Sequence, residues 1–254
     1  MSSPTKPTII IIPGSFAPLW SYDPVINELK ANRYPVEGIE LETVGKRDKA
    51  PGLYDDAAKV AALVRRLADE GKDVVLVPHS YGGLVACEAS KGLGKSIREK
   101  EGKKGGIARI VFVTAVVGRE GQSLKDVFDG VQQDYLIIEG EYMSMEPVGC
   151  AAVTFSSLTQ EEGLAWVKRM PNHSAISFVQ TLTYPAYKDI SVSYLLCEED
   201  KCISPELQNQ IITSMESQMG GTKVDRHPVK ADHGINVTQP KLMAEGIMKA
   251  VGVA

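Results

Sequence analysis

The stretch Asp73-Val74-Val75-Leu76-Val77-Pro78-His79-Ser80-Tyr81-Gly82-Gly83-Leu84-Val85-Ala86-Cys87-Glu88-Ala89 reads as a buried strand that runs through a tight turn directly into a helix. Val74 to Val77 is an unbroken apolar run, as expected of a strand covered on both faces rather than on one. Gly82 and Gly83 have no Cβ, so a helix can begin close against that strand. Ser80 then stands on the turn at the strand's carboxyl end.

Outward from this segment, short β-branched runs alternate with helical patterns. Thr8 to Ile12, Val36 to Leu41, Ile107 to Ala115, Ser191 to Cys197 and Lys223 to Val229 are predicted strands. Val60, Leu63, Val64 and Leu67 repeat at helical spacing, with Asp55 and Asp56 near the start and Gly71 past the end. Pro205 to Met215 and Pro240 to Val251 have proline in the first turn of a predicted helix. The pattern is that of an α/β protein with a doubly wound, mostly parallel sheet of about six strands. About seventy residues from Gly118 to Lys188 separate two predicted strands that a simple crossover would join in far fewer. Residues 1–117 and 189–254 therefore read as the core, and 118–188 as an inserted cap. Within it, Asp134 to Ile138 and Ala151 to Phe155 are expected to pair as strands, with helices near Gln160 to Met170 and Ser174 to Thr181.

The bulk properties narrow the chemistry. A chain of 254 residues, 43% hydrophobic and 24% charged, has the composition of a globular protein with a large core. A net charge of −4 offers no basic field for nucleic acid or anionic lipid. The basic run from Lys95 to Lys104 reads as a solvated helix end. Cys87, Cys150, Cys197 and Cys202 show neither metal-ligand nor disulfide-framework spacing, which suits free thiols in a reducing compartment. Met1-Ser2-Ser3-Pro4-Thr5-Lys6-Pro7 lacks the apolar stretch of a signal peptide, so a cytoplasmic location is expected.

A serine beside glycines is most often only a turn residue. Here it follows a buried strand and precedes a helix, the setting of the G-x-S-x-G turn that exposes a nucleophilic hydroxyl, although Pro78 stands where that pattern has glycine. Ser80 would need a base. His79 is too near along the turn and is expected to support it, His227 sits inside a predicted strand, and His173 lies in the cap. His233, in Lys230-Ala231-Asp232-His233-Gly234, follows the last strand at the sheet edge where α/β proteins gather ligands. The orienting acid is expected from Glu198-Glu199-Asp200 after the preceding strand. Asp200 is preferred, Glu199 and Glu120 compete, and Asp232 reads as a loop residue. The first strand ends in Pro13-Gly14-Ser15-Phe16, which lacks the further glycines of a dinucleotide loop. Its Ser15 or Phe16 N–H, with that of Tyr81, would form an oxyanion hole.

Taken together, Pro13-Gly14-Ser15 with Trp20, the Ser80 turn, Thr183-Tyr184 through Leu195 to Asp200, and Asp232-His233 resemble the α/β-hydrolase superfamily over nearly the full chain. The resemblance is to the branch of plant methylesterases, hydroxynitrile lyases and related microbial esterases. It implies a triad of Ser80, Asp200 and His233 beneath a cap. Proline replaces the usual histidine before Gly14, and Pro78 replaces the glycine of the turn. Lyase members carry a lysine after the catalytic histidine and a hydroxyl residue at the place of Gly14, whereas here Gly234 follows His233. The expected activity is hydrolysis of a small ester or lactone without metal or organic cofactor, with no nucleic-acid or membrane partner and a homodimer left open. A lyase on the same triad and a catalytically silent ligand-binding protein are the rival readings.

Overall fold

Alternation along the first strand, β1 (Thr8–Ile12), sets the layers of the molecule. Ile10 and Ile12 enter one hydrophobic core and Ile9 and Ile11 the other, all of them fully buried. Burying each such side chain stabilises the fold by about 1.5–3 kcal/mol relative to exposure. The computed structural model describes residues 6–131 and 133–252, so residues 1–5 of the polar amino-terminal stretch lie outside the described residues.

In chain order the elements after β1 are α1 (Asp23–Ala31), β2 (Val36–Gly38), α2 (Leu53–Asp69), β3 (Asp73–Pro78), α3 (Gly82–Ala89), α4 (Lys95–Lys100) and β4 (Gly106–Val113). Then come α5 (Leu124–Val127), β5 (Leu136–Glu139), β6 (Tyr142–Met145), α6 (Pro147–Thr154), α7 (Gln160–Val167) and β7 (His173–Ser174). The chain closes with β8 (Val192–Cys197), α8 (Pro205–Gln218), β9 (Asp225–Val229), α9 (Ile235–Thr238) and α10 (Pro240–Val251).

Six strands form one parallel sheet in the order β2-β1-β3-β4-β8-β9. Apolar faces of α2, α3 and α8 cover one side, through Val60, Val64, Leu84 and Ile211. Those of α1 and α10 cover the other, through Val25, Leu29, Ala244 and Ile247. The chain winds outward from β1 to β2, then returns past β1 to β3, so the loops after β1 and β3 diverge and leave a crevice at the sheet's carboxyl edge.

Between β4 and β8 lies a separate three-stranded sheet in the order β5-β6-β7, antiparallel throughout. This corrects the expected pairing there. The predicted strand Ala151 to Phe155 falls almost wholly in α6, because Glu146 caps that helix on the Val148 and Gly149 N–H groups and Pro147 fits its first turn. Its Ala151 and Phe155 pack instead into a small core with Trp166 and Val167. The expected helix from Ser174 to Thr181 shrinks to a 3₁₀ turn at Ala175–Phe178 after β7. Arg98, expected in solvent, is buried and bridges Asp69 Oδ1 at 2.7 Å.

Candidate active site

Ser80 sits where β3 becomes α3, with φ at +53°. That left-handed backbone costs a residue with a Cβ about 1–3 kcal/mol, so the surrounding structure must hold it. Ser80 O accepts from Gly83 N at 3.0 Å and Val116 N at 2.9 Å, and Ser80 N donates to Val113 O at 3.3 Å. A Cβ on Gly82 would lie 2.7 Å from Pro13 O, and one on Gly83 2.3 Å from Val116 O. These two glycines carry the close approaches. Pro78 is the last extended residue of β3, paired with Ile12, and the turn forms without a glycine at that position.

Three expected residues come together on this turn. His233 Nε2 lies 3.1 Å from Ser80 Oγ, and His233 Nδ1 lies 2.7 Å from Asp200 Oδ2. A carboxylate can only accept, so Nδ1 carries the proton and Nε2 accepts from the hydroxyl. Asp200 Oδ2 also accepts from Thr114 Oγ1, and its Oδ1 from Cys202 N at 2.7 Å and Ile203 N at 2.8 Å. Four donors thus fix both oxygens. Glu199 and Glu120 are exposed, and buried Asp232 accepts from Ser157 and Thr238 instead. Burial pushes the His233 imidazolium down, but the Asp200 carboxylate more than reverses this and holds it well above the ordinary histidine value.

His79 Nε2 lies 2.9 Å from the His233 carbonyl, which can only accept, so the proton is on Nε2 and Nδ1 accepts from Tyr22 Oη at 2.6 Å. Tyr22 Oη in turn accepts from Gly14 N at 3.1 Å. One neutral imidazole, held down at about 3 by burial and by His233, therefore ties the turn to the loops that follow β1 and β9. Space beside Gly14 is tight, since a Cβ would stand 3.0 Å from Ser80 Cβ. His227 is a structural histidine bonded to Asp225 Oδ2 at 2.7 Å.

His173 engages the N–H of Phe16, one of the two expected donors on that loop. Buried and lowered to about 3, it accepts on Nδ1 from Phe16 N at 3.4 Å while its Nε2 donates to Ser177 Oγ at 3.0 Å. The Phe16 N–H is therefore already engaged within the protein. Among the described residues the N–H groups of Ser15 and Tyr81 have no protein acceptor. Asp56 went unnoticed in the sequence as a site residue. It is fully buried, accepts from Thr43 N, Thr43 Oγ1 and Tyr81 Oη, and is pushed up to about 6 by burial. It anchors the side chain of the residue that follows Ser80. A helix-start aspartate is ordinarily solvated, so nothing local marked it.

A cavity of about 70 Å³ opens over Ser80 and His233. Trp20, Phe155, Trp166, Met145 and Met170 give it apolar walls, and Cys202 lies at its edge with Tyr135 Oη 3.4 Å from Sγ. Gly234 packs under the Phe155 ring, where a Cβ would come within 2.5 Å of Cδ1. Among the described residues no cluster of three or more His, Cys, Asp or Glu could hold a metal ion, and no helix is long and apolar enough to cross a membrane.

The alpha/beta hydrolase family model matches residues 9–245. A probable hydrolase, R7, of a Phoma species is 31% identical over 255 residues, which span 98% of this chain and 100% of that protein. Polyneuridine aldehyde esterase superposes with a TM-score of 0.74 at 18% identity, over 96% of this chain and 99% of its own. A methylesterase of Arabidopsis does so with a TM-score of 0.73 at 15% identity, over 97% and 99%. These folds are those of the branch that the sequence resembles. With a parallel six-stranded sheet, a serine turn at its switch point and a family match across nearly its whole length, the chain belongs to the alpha/beta hydrolase family.

Proposed function

We propose that this protein is a serine hydrolase that cleaves a small carboxylic ester or lactone through an acyl-enzyme on Ser80. The observation that carries the reading is the continuous chain Ser80 Oγ, His233 Nε2, His233 Nδ1 and Asp200 Oδ2, at 3.1 Å and 2.7 Å, beside two unengaged N–H groups. In the first step Ser80 Oγ attacks the ester carbonyl as His233 takes its proton. Asp200 holds the ring in the tautomer this requires and stabilises the imidazolium that forms. The Ser15 and Tyr81 N–H groups receive the developing oxyanion. His233 then returns the proton to the departing alcohol. Water, deprotonated by the same imidazole, releases the acid and regenerates Ser80. The scheme calls for no metal or organic cofactor.

One observation favours ester hydrolysis over cyanohydrin cleavage. The lyases carry an ammonium side chain on the residue after the histidine, and here that position is Gly234, with the space beyond its Cα filled by Phe155 and Thr154 O. A departing cyanide would find no cation at that place.

The test is a series of p-nitrophenyl esters of rising acyl length, together with fluorophosphonate labelling. Turnover that disappears in Ser80→Ala, with labelling at Ser80, is the expected result. Absence of both turnover and label in the folded protein would sink the reading.

A further inference from the structure

Among the described residues the cavity over Ser80 is lined by one Arg and by no Lys, Asp or Glu. That residue is Arg169, in the turn after α7, where its own N–H donates to Trp166 O at 3.0 Å. Its guanidinium lies 4.1 Å from the Trp20 ring centroid and 4.7 Å from that of Trp166. The two indoles are themselves stacked, 5.8 Å apart at 22°. Trp20 comes from the loop after β1 and Trp166 from α7, so the cation rests on aromatic faces from both sides of the cleft. Such faces attract a guanidinium and hold its plane, yet accept none of its N–H donors in the way a carboxylate does. Among the described residues Arg169 enters no ion pair and its side chain donates to no protein acceptor. This exposed cation, pre-oriented by two rings beside a largely apolar cavity that holds no competing carboxylate, is complementary to a planar anion that arrives from outside. The protein as a whole carries −4 and does not gather anions, so a preference for one must arise locally.

We propose that Arg169 determines specificity by binding a free carboxylate on the substrate, which makes the natural substrate a small ester or lactone that also bears a carboxylate. The inference rests on the ester-hydrolase reading and names its substrate class. Trp20 and Trp166 are positioning residues that act through Arg169.

Two measurements test it separately from the hydrolase reading. The first compares mono-p-nitrophenyl esters of glutaric and adipic acid with neutral p-nitrophenyl esters of matched chain length. The wild-type kcat/KM ratio should favour the anionic ester by about tenfold, as a charge-assisted hydrogen bond allows. It should fall to about one in Arg169→Gln, survive in part in Arg169→Lys, and shrink with added salt. A wild-type ratio of one or less, or a preference retained in Arg169→Gln, overturns the proposal. Fluorophosphonate labelling of Ser80 in the Arg169→Gln protein certifies a folded site.

The second measurement needs no turnover. The chain has two tryptophans, and both lie against Arg169, so tryptophan fluorescence excited where tyrosine does not absorb reports on this place. Ser80→Ala titrated with monomethyl glutarate should give a saturable change that methyl butyrate does not give and that Arg169→Gln removes. No change with monomethyl glutarate overturns the proposal. The same saturable change, where the wild-type protein hydrolyses no ester, upholds the carboxylate site and refutes the hydrolase reading instead.

Discussion

Replacing Asp200 with Asn changes one atom and should remove nearly all turnover. Asp200 Oδ1 faces two backbone donors, the N–H groups of Cys202 and Ile203, so an amide NH₂ cannot occupy that place without opposing both. The asparagine oxygen must go there, and its NH₂ must face His233 Nδ1 where Oδ2 now accepts. The ring then has to present a lone pair on Nδ1 and carry its proton on Nε2, the atom that should receive the Ser80 proton. In triads of this kind the wrong tautomer costs about ten-thousandfold in kcat, equivalent to about 5.4 kcal/mol of transition-state stabilisation. The assay is p-nitrophenyl ester hydrolysis as a function of pH. Because His233 must be neutral to act as a base and Asp200 raises it, wild-type kcat/KM should climb with pH along a limb above 6.5. In the variant burial remains and the opposing charge is gone, so the residual activity should show that limb moved to lower pH. Retention of more than about a tenth of wild-type activity, or an equal loss in Glu199→Gln, would refute the reasoning.

Three further outcomes follow from the geometry of the site and its buried groups. Tyr22→Phe leaves Gly14 N and His79 Nδ1 buried without their shared partner and should cost about 1–3 kcal/mol, read as a lower urea midpoint; an unchanged midpoint would show that water replaces the hydroxyl at no cost. Gly234→Lys drives a Cβ to 2.5 Å from Phe155 and 2.9 Å from Thr154 O, so it should lose about 1–3 kcal/mol and lower esterase activity without creating cyanohydrin cleavage; wild-type stability and activity would contradict the packing described. Below pH 6.5 the unfolded chain protonates the positions of His79 and His173, which stay neutral in the folded state down to about 3, so their contribution is present above 6.5 and lost as pH falls. Asp56, raised to about 6 in the folded state, binds a proton there first and works in the opposite sense. Two protons less one leave about one taken up on unfolding, so stability should fall with falling pH between 6 and 4, and a flat urea midpoint across that range would count against it.

Much of this was legible along the chain. Ile9 to Ile12 and Val74 to Val77 announce strands covered on both faces, because only a sheet between two helical layers buries consecutive apolar residues. Ser80, Asp200 and His233 could be singled out because each follows a strand, and parallel strands deliver their trailing loops to one edge. Local rhythm failed where capping and long-range packing outweighed it, as in α6, whose β-branched residues before Phe155 suggested a strand while Glu146 and Pro147 set a helix. Charge type was equally uninformative for Arg98 and Asp56, which look solvated in sequence and are buried by partners elsewhere in the chain. The engagement of the Phe16 N–H by His173, the role of His79 as a tie between loops, and the meeting of Arg169 with Trp20 belong to the tertiary structure alone. Each depends on the direction of one N–H or one ring toward a partner as far as 157 positions away, and hydrophobic periodicity carries no record of that direction.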